Sequence, residues 1–200
     1  MARLRHFAIC VGDLDKAAKF YGDVFGLKRH GREDLSIGSG IYMGDGTINL
    51  ALLNFKGKEG HDFGDKPEGQ IGANHFGFQV DSMKETQALI EKHGGKFFFD
   101  LGEERKGNFE RKFKDPEGII FDISENGWVG TDSRKIKADP NHAFLDEALV
   151  NPAQLNGRIK HFALTVRNLE KESEFYQKVF GLKFLGYDHQ PMGSAIYLTD

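Results

Sequence analysis

The sequence predicts an α+β fold in which paired strand-helix-three-strand (βαβββ) units build a cupped mixed sheet. Three observations carry this. Residues 4–11 alternate, with Phe7, Ile9 and Val11 on one face and His6, Ala8 and Cys10 on the other, so a strand with one bulky and one small face opens the chain. Residues 3–45 return at 158–200 without a gap, at a fixed offset of 155 and with twenty of 43 positions identical, which marks a duplication rather than shared composition. A weaker echo begins at Asn74, where HFGFQV runs into SMKETQALIEKHGG.

Each element follows from local chemistry. Asp13 is an N-cap, because its carboxylate can accept from the free N–H groups of a first helical turn. Leu14, Ala17, Ala18, Tyr21, Val24 and Phe25 recur at helical spacing, and Gly26 is a natural stop. A short strand over 27–31, a polar turn over 32–36 and a glycine-broken strand over 37–43 follow. Gly44-Asp45-Gly46 is a hairpin turn before a strand over 47–53. Residues 56–72, rich in glycine and charge, read as a long loop. The order then repeats. A strand over 73–80 carries His75, Gly77 and Gln79 on its small face, and Ser82 and Glu85 form a capping box for a helix ending near His93. Strands over 97–101 and 108–114 flank a charged loop at 102–107 containing Glu103, Glu104, Arg105 and Lys106. The turn Asp115-Pro116-Glu117-Gly118 leads into a last strand over 119–124.

This spacing divides the chain into a complete two-unit domain over 1–125, a linker over 126–157 with a short helix near 142–150, and a third unit over 158–200 that stops at the hairpin turn. The third unit is expected to be the start of a second domain in a longer chain. Otherwise it borrows strands from another copy and makes a homo-oligomer, because its open edges invite pairing.

Bulk properties exclude some partners. A net charge of −3 gives no reason to propose nucleic acid, and no apolar run is long enough to span a membrane. Cys10, the single cysteine, makes no intrachain disulfide, and the N-terminus carries no signal-peptide core, so a cytoplasmic location is expected.

Four polar residues stand on the small faces of first or last strands: His6, Asn49, His75 and Asp122. If two units pair side by side, their sheets curve around one cleft and these side chains converge. Two imidazoles and a carboxylate suit a divalent transition metal, with positions left open for substrate. Asn49 offers a weak fourth ligand or a substrate contact. His161 repeats the histidine but lacks partner strands, and His30, His61, His93, His142 and His189 have no comparable setting; most are expected in solvent. Tyr42 and Tyr197 are expected in the core, and Cys10 as small lining.

The paired units, the opening HFAICVGDLDKAAKFYGDVFGL and the KFKDPEGIIFDI stretch resemble the vicinal oxygen chelate superfamily of glyoxalase I, bleomycin-resistance proteins, fosfomycin-resistance enzymes, methylmalonyl-CoA epimerase and extradiol dioxygenases. The resemblance implies that His6, His75 and Asp122 are ligands of iron, manganese, zinc or nickel, and that a small organic substrate chelates the metal through vicinal oxygens. Dioxygenase-like or glyoxalase-like lyase or isomerase chemistry follows, with a metal-free ligand-binding module of the bleomycin-resistance type as the alternative. Asn49 stands where glyoxalase I carries a glutamate, and Lys112 near where the extradiol signature places a tyrosine. An amide cannot act as a base, so glyoxalase I activity is expected to be weak or absent.

Overall fold

The computed structural model describes residues 2–65, 67–100, 110–132 and 157–200. The charged loop, the first two residues of the 108–114 strand, the helix near 142–150 and His142 fall outside the described residues. The elements run β1 (Arg3–Cys10), α1 (Leu14–Phe25), β2 (Lys28–Leu35), β3 (Gly38–Gly44), β4 (Asn49–Phe55), α2 (Gly57–Gly64), β5 (Gly72–Gln79), α3 (Met83–Lys92), β6 (Lys96–Asp100), β7 (Arg111–Lys114), β8 (Ile120–Ser124), α4 (Leu169–Phe180), β9 (Lys183–Gln190) and β10 (Gly193–Thr199).

Eight strands form one mixed sheet in the order β2-β3-β4-β1-β5-β8-β7-β6. It is two four-stranded halves joined where β1 meets β5 antiparallel, and in each half the first strand pairs parallel with the last. The expected α+β class with paired βαβββ units is therefore what the chain adopts. The caps follow the sequence: Asp13 and Ser82 accept from Lys16 N and Glu85 N, and Gly26 closes α1 in the left-handed region at φ 76°. Apolar side chains of α1, led by Leu14 and Ala18, pack on Ile41, Met43, Leu50 and Leu52 behind the first half.

The stretch read as a long loop holds α2. Its glycines oppose helix formation, but close approach requires them: a Cβ at Gly60 would lie 2.1 Å from the Ile37 carbonyl oxygen, and one at Gly64 2.5 Å from the Phe55 ring. Tertiary contact here overrides propensity.

The third unit repeats α1, β2 and β3 as α4, β9 and β10 at the same offset of 155. Its opening stretch differs from the expected strand. Residues 158–166 pair with no strand among the described residues, whereas β1 is held by ladders on both sides. Phe162 instead packs edge-on against Phe7 at 4.3 Å and tilted on Phe76 at 4.9 Å. Beside it, α4 seats Phe175, Tyr176, Val179 and Phe180 on Phe76, Phe78, Phe121 and Ile123, behind the second half of the sheet.

The two turn aspartates hold this segment. Asp45 Oδ1 accepts from Thr47 N and Ile48 N, and its Oδ2 from Ile159 N at 2.9 Å. Asp115 Oδ1 accepts from Glu117 N and Ile119 N, and its Oδ2 from the Tyr176 hydroxyl at 2.7 Å. Each carboxylate thus folds its own turn with one oxygen and clasps the third unit with the other. Tyr197 is largely exposed, unlike the core role expected, and Tyr42 is half-buried with its hydroxyl donating to Glu33.

Candidate metal centre

Strand register, not sequence proximity, builds the site. His6 lies opposite Asn49 in β4 and Gly77 in β5; Gly77 lies opposite Asp122 in β8; Asp122 lies opposite Lys112 in β7. One row of side chains therefore crosses five strands, with His75 two residues from Gly77 on the same face. Gly77 keeps the middle of the row open, since a Cβ there would sit 2.7 Å from the Trp128 ring and 3.1 Å from His6 Cβ.

The three expected ligands meet. Donor atoms of His6, His75 and Asp122 all lie within 4.8 Å of one another, and all three residues are buried. His6 Nε2 is 3.0 Å from His75 Nε2, which is 3.2 Å from Asp122 Oδ2. Two atoms bound about 2.1 Å from one ion at right angles lie about 3.0 Å apart, so the spacing and the donor types suit a divalent ion.

Neighbouring amides orient both imidazoles. The Val129 carbonyl can only accept, so it takes the Asn49 Nδ2–H at 2.8 Å and turns Asn49 Oδ1 toward His6 Nδ1 at 2.7 Å. His6 then carries its proton on Nδ1 and points the Nε2 lone pair inward. Asn74 repeats the device: its Nδ2 donates to the Gly64 carbonyl, and its Oδ1 faces His75 Nδ1. Burial, reinforced by the His75 ring, lowers the His6 pKa to about 4, which keeps that imidazole neutral at pH 7. Both ends of the Asn49 amide are engaged, so it contacts His6 rather than facing an open cleft.

Lys112 stands out in the sequence only as a departure from the extradiol signature, and Glu110 and Trp128 not at all. Lys112 Nζ lies 2.9 and 2.8 Å from the two Asp122 oxygens, 3.2 Å from Glu110 Oε1 and 3.3 Å from His75 Nε2. Burial alone would lower its pKa, but Asp122 and Glu110 outweigh that and raise it, so an ammonium stands among the ligand atoms. Trp128 stacks on His6 at 4.8 Å and donates Nε1–H to Glu110 Oε2 at 2.7 Å. Residues 126–132, which open the stretch read as linker, thus roof the centre with Trp128 and Val129, both fully buried. One signal was available: Asp122 on an interior strand demands a counter-charge, and a lysine on the neighbouring strand supplies it.

The other histidines scatter. His161 is exposed, as is His189, while His30 is buried against Gly44 and Gly130, contrary to the solvated setting expected for most of this group. Cys10 lines the end of the same face, beside a cleft of about 400 Å³ formed with Asn54, Lys56, His61 and Gln70. Four residues of strand place it about 13 Å from His6.

A cupped sheet of paired βαβββ units defines a fold class, and comparison with known proteins agrees with that fold. The model of the Glyoxalase/Bleomycin resistance protein/Dioxygenase superfamily matches residues 3–123 and again 158–199, and the chain belongs to this superfamily. A probable lactoylglutathione lyase, chloroplastic, of Arabidopsis thaliana is 26% identical over 192 residues, covering 92% of this chain and 45% of that protein. The chain thus spans about half the length of that relative. A mutant 4-hydroxymandelate synthase from Streptomyces coelicolor superposes with a TM-score of 0.69 at 11% identity, covering 98% of this chain and 59% of that one. The Mn(II)-bound glyoxalase from Novosphingobium aromaticivorans gives a TM-score of 0.58 at 17% identity, covering 100% of this chain and 59% of the other. No helix among the described residues is long and apolar enough to cross a membrane.

Proposed function

We propose that the chain is the metal-binding part of an enzyme that acts on a small organic substrate chelated through two neighbouring oxygens. The convergence of His6, His75 and Asp122 from three strands carries this reading. These residues would hold iron, manganese, zinc or nickel, and the ion would supply Lewis-acid polarisation of the substrate oxygens. Around it, Asn49 and Asn74 fix the imidazole tautomers, and Trp128 and Val129 close the centre from above. A cytoplasmic location is the companion reading; it rests on the single cysteine, and one curated relative is chloroplastic.

The relatives' names point to lactoylglutathione lyase, but Asn49 argues for a different reaction. Its amide cannot take a proton from carbon, and it is committed to His6 and Val129. Turnover of a methylglyoxal–glutathione hemithioacetal by the wild-type chain is expected to be weak or absent, with some gained in Asn49→Glu. A metal-free ligand-binding module is the second reading, favoured by the Lys112 ammonium on Asp122.

Domain organisation belongs to the same proposal. Residues 1–125 form the complete two-module domain and 158–200 the opening of another; the separate family match over 158–199 and the greater length of the curated relatives support this.

Elemental analysis separates the two functional readings. The purified chain is expected to carry near-stoichiometric transition metal that His75→Ala loses. A chain that neither retains nor can be loaded with metal excludes the enzyme.

A further inference from the structure

The ammonium of Lys112 stands where the charge of a metal ion would stand. Resting on the metal-centre reading, we propose that Lys112 is the built-in competitor of the divalent ion. Metal enters only when this side chain leaves Asp122 and His75.

Geometry sets up the competition. The inward lone pairs of His6 Nε2 and His75 Nε2 are 3.0 Å apart, an arrangement that calls for positive charge beside them. Lys112 supplies it, touching His75 Nε2 at 3.3 Å and both Asp122 oxygens within 2.9 Å. An ion bound to those same atoms would lie close against the ammonium. Two cations at that separation, in a buried pocket, repel far more strongly than in water. Lys112 is placed there by register, directly opposite Asp122 across β7 and β8, so the contact is part of the sheet.

The structure also supplies a place for the lysine to go. Glu110 Oε1 is 3.2 Å from Nζ, and Trp128 Nε1–H holds the other Glu110 oxygen at 2.7 Å. Two carboxylates therefore face one ammonium. When Asp122 and His75 turn to metal, the flexible four-carbon stem of Lys112 lets its head stay on Glu110 alone. Trp128 links this parked pair to His6 by stacking.

Zinc titration of the 200-residue chain against a chromogenic chelator tests this, with wild type, Lys112→Met and Lys112→Gln, each also combined with His75→Ala. Both neutral variants are expected to bind one zinc per chain at least tenfold more tightly than wild type. Zinc should raise their thermal midpoints more than that of wild type, because it replaces the lost counter-charge of Asp122. His75→Ala should abolish the gain. The glutamine variant keeps a hydrogen-bond donor and covers the case in which methionine fails to fold. If wild type binds zinc through His75 as tightly as both variants, or more tightly, Lys112 is no competitor, while the metal centre stands. If no variant shows His75-dependent zinc binding, the centre itself is excluded and the competition falls with it.

Discussion

Phe25 and Phe180 occupy the same position in the two copies of the duplicated helix, yet their environments are opposite. Phe25 closes α1 with 39% of its surface exposed; Phe180 closes α4 at 2%. Phe180 stacks on Phe78 at 3.9 Å and meets Phe121 edge-on at 5.5 Å. Phe180→Ala would therefore leave a cavity between α4 and the sheet, costing about 3–5 kcal/mol for a buried phenylalanine. Phe25→Ala should cost under about 1 kcal/mol, as most substitutions at exposed positions do. Urea unfolding followed by tryptophan fluorescence reads both, since Trp128, the single tryptophan, reports on the main sheet. With slopes unchanged, the difference appears as a drop in midpoint for Phe180→Ala only. Two variants that unfold within about 1 kcal/mol of each other would mean that α4 does not dock on the sheet, and that the third unit behaves independently of the first domain.

The same interface carries a pH dependence. Glu172, in the first turn of α4, is buried beside Asp115, and burial, then the charges of Asp115 and Glu117, raise its pKa from 4.5 to about 7. Below pH 4.5 the group is protonated whether or not the helix is docked; between 4.5 and 7 the undocked form gives up its proton first. Docking is therefore strongest in acid and weakens as pH rises through 7, by about 1–2 kcal/mol allowing for solvent screening. Glu172→Gln should remove that slope and protect the α4 amides from exchange at pH 8; an unchanged slope would show that Glu172 is not its source. At the roof, Trp128→Phe deletes the Nε1–H bond and leaves Glu110 Oε2 without that donor. A loss of about 1–3 kcal/mol is expected in urea unfolding followed by circular dichroism, since this variant has no tryptophan to report, and a neutral outcome would place Glu110 in contact with water.

Much of the fold was legible because the signals are local. The alternation His6-Ala8-Cys10 against Phe7-Ile9-Val11, the caps Asp13 and Ser82, and the stop at Gly26 each depend on a few neighbouring residues, and the chain folds there as they direct. Of the centre, His6, His75 and Asp122 were visible because each stands on a small or polar strand face and matches a ligand position of the family that the sequence resembles. Lys112 was visible only as a departure from a family signature and Glu110 not at all, since lysine and glutamate on a short strand usually face solvent, and only the ladder pairing Lys112 with Asp122 places the lysine in the centre. Trp128 was hidden for another reason. It follows the Asn126-Gly127 pair, at the start of the stretch that reads as linker, and its burial depends on the space left at Gly77. The glycine-spaced α2 lacked any sequence sign, because its cap Lys56 contributes no side-chain bond and its packing relies on missing Cβ atoms.

The most direct test of the centre is an anomalous-difference map from crystals of the full chain soaked in manganese or zinc. One peak is expected, about 2.0–2.2 Å from His6 Nε2, His75 Nε2 and an Asp122 oxygen, with Lys112 Nζ moved off Asp122 onto Glu110. A map without a peak there, with Lys112 still bridging Asp122 and His75, would contradict the metal centre.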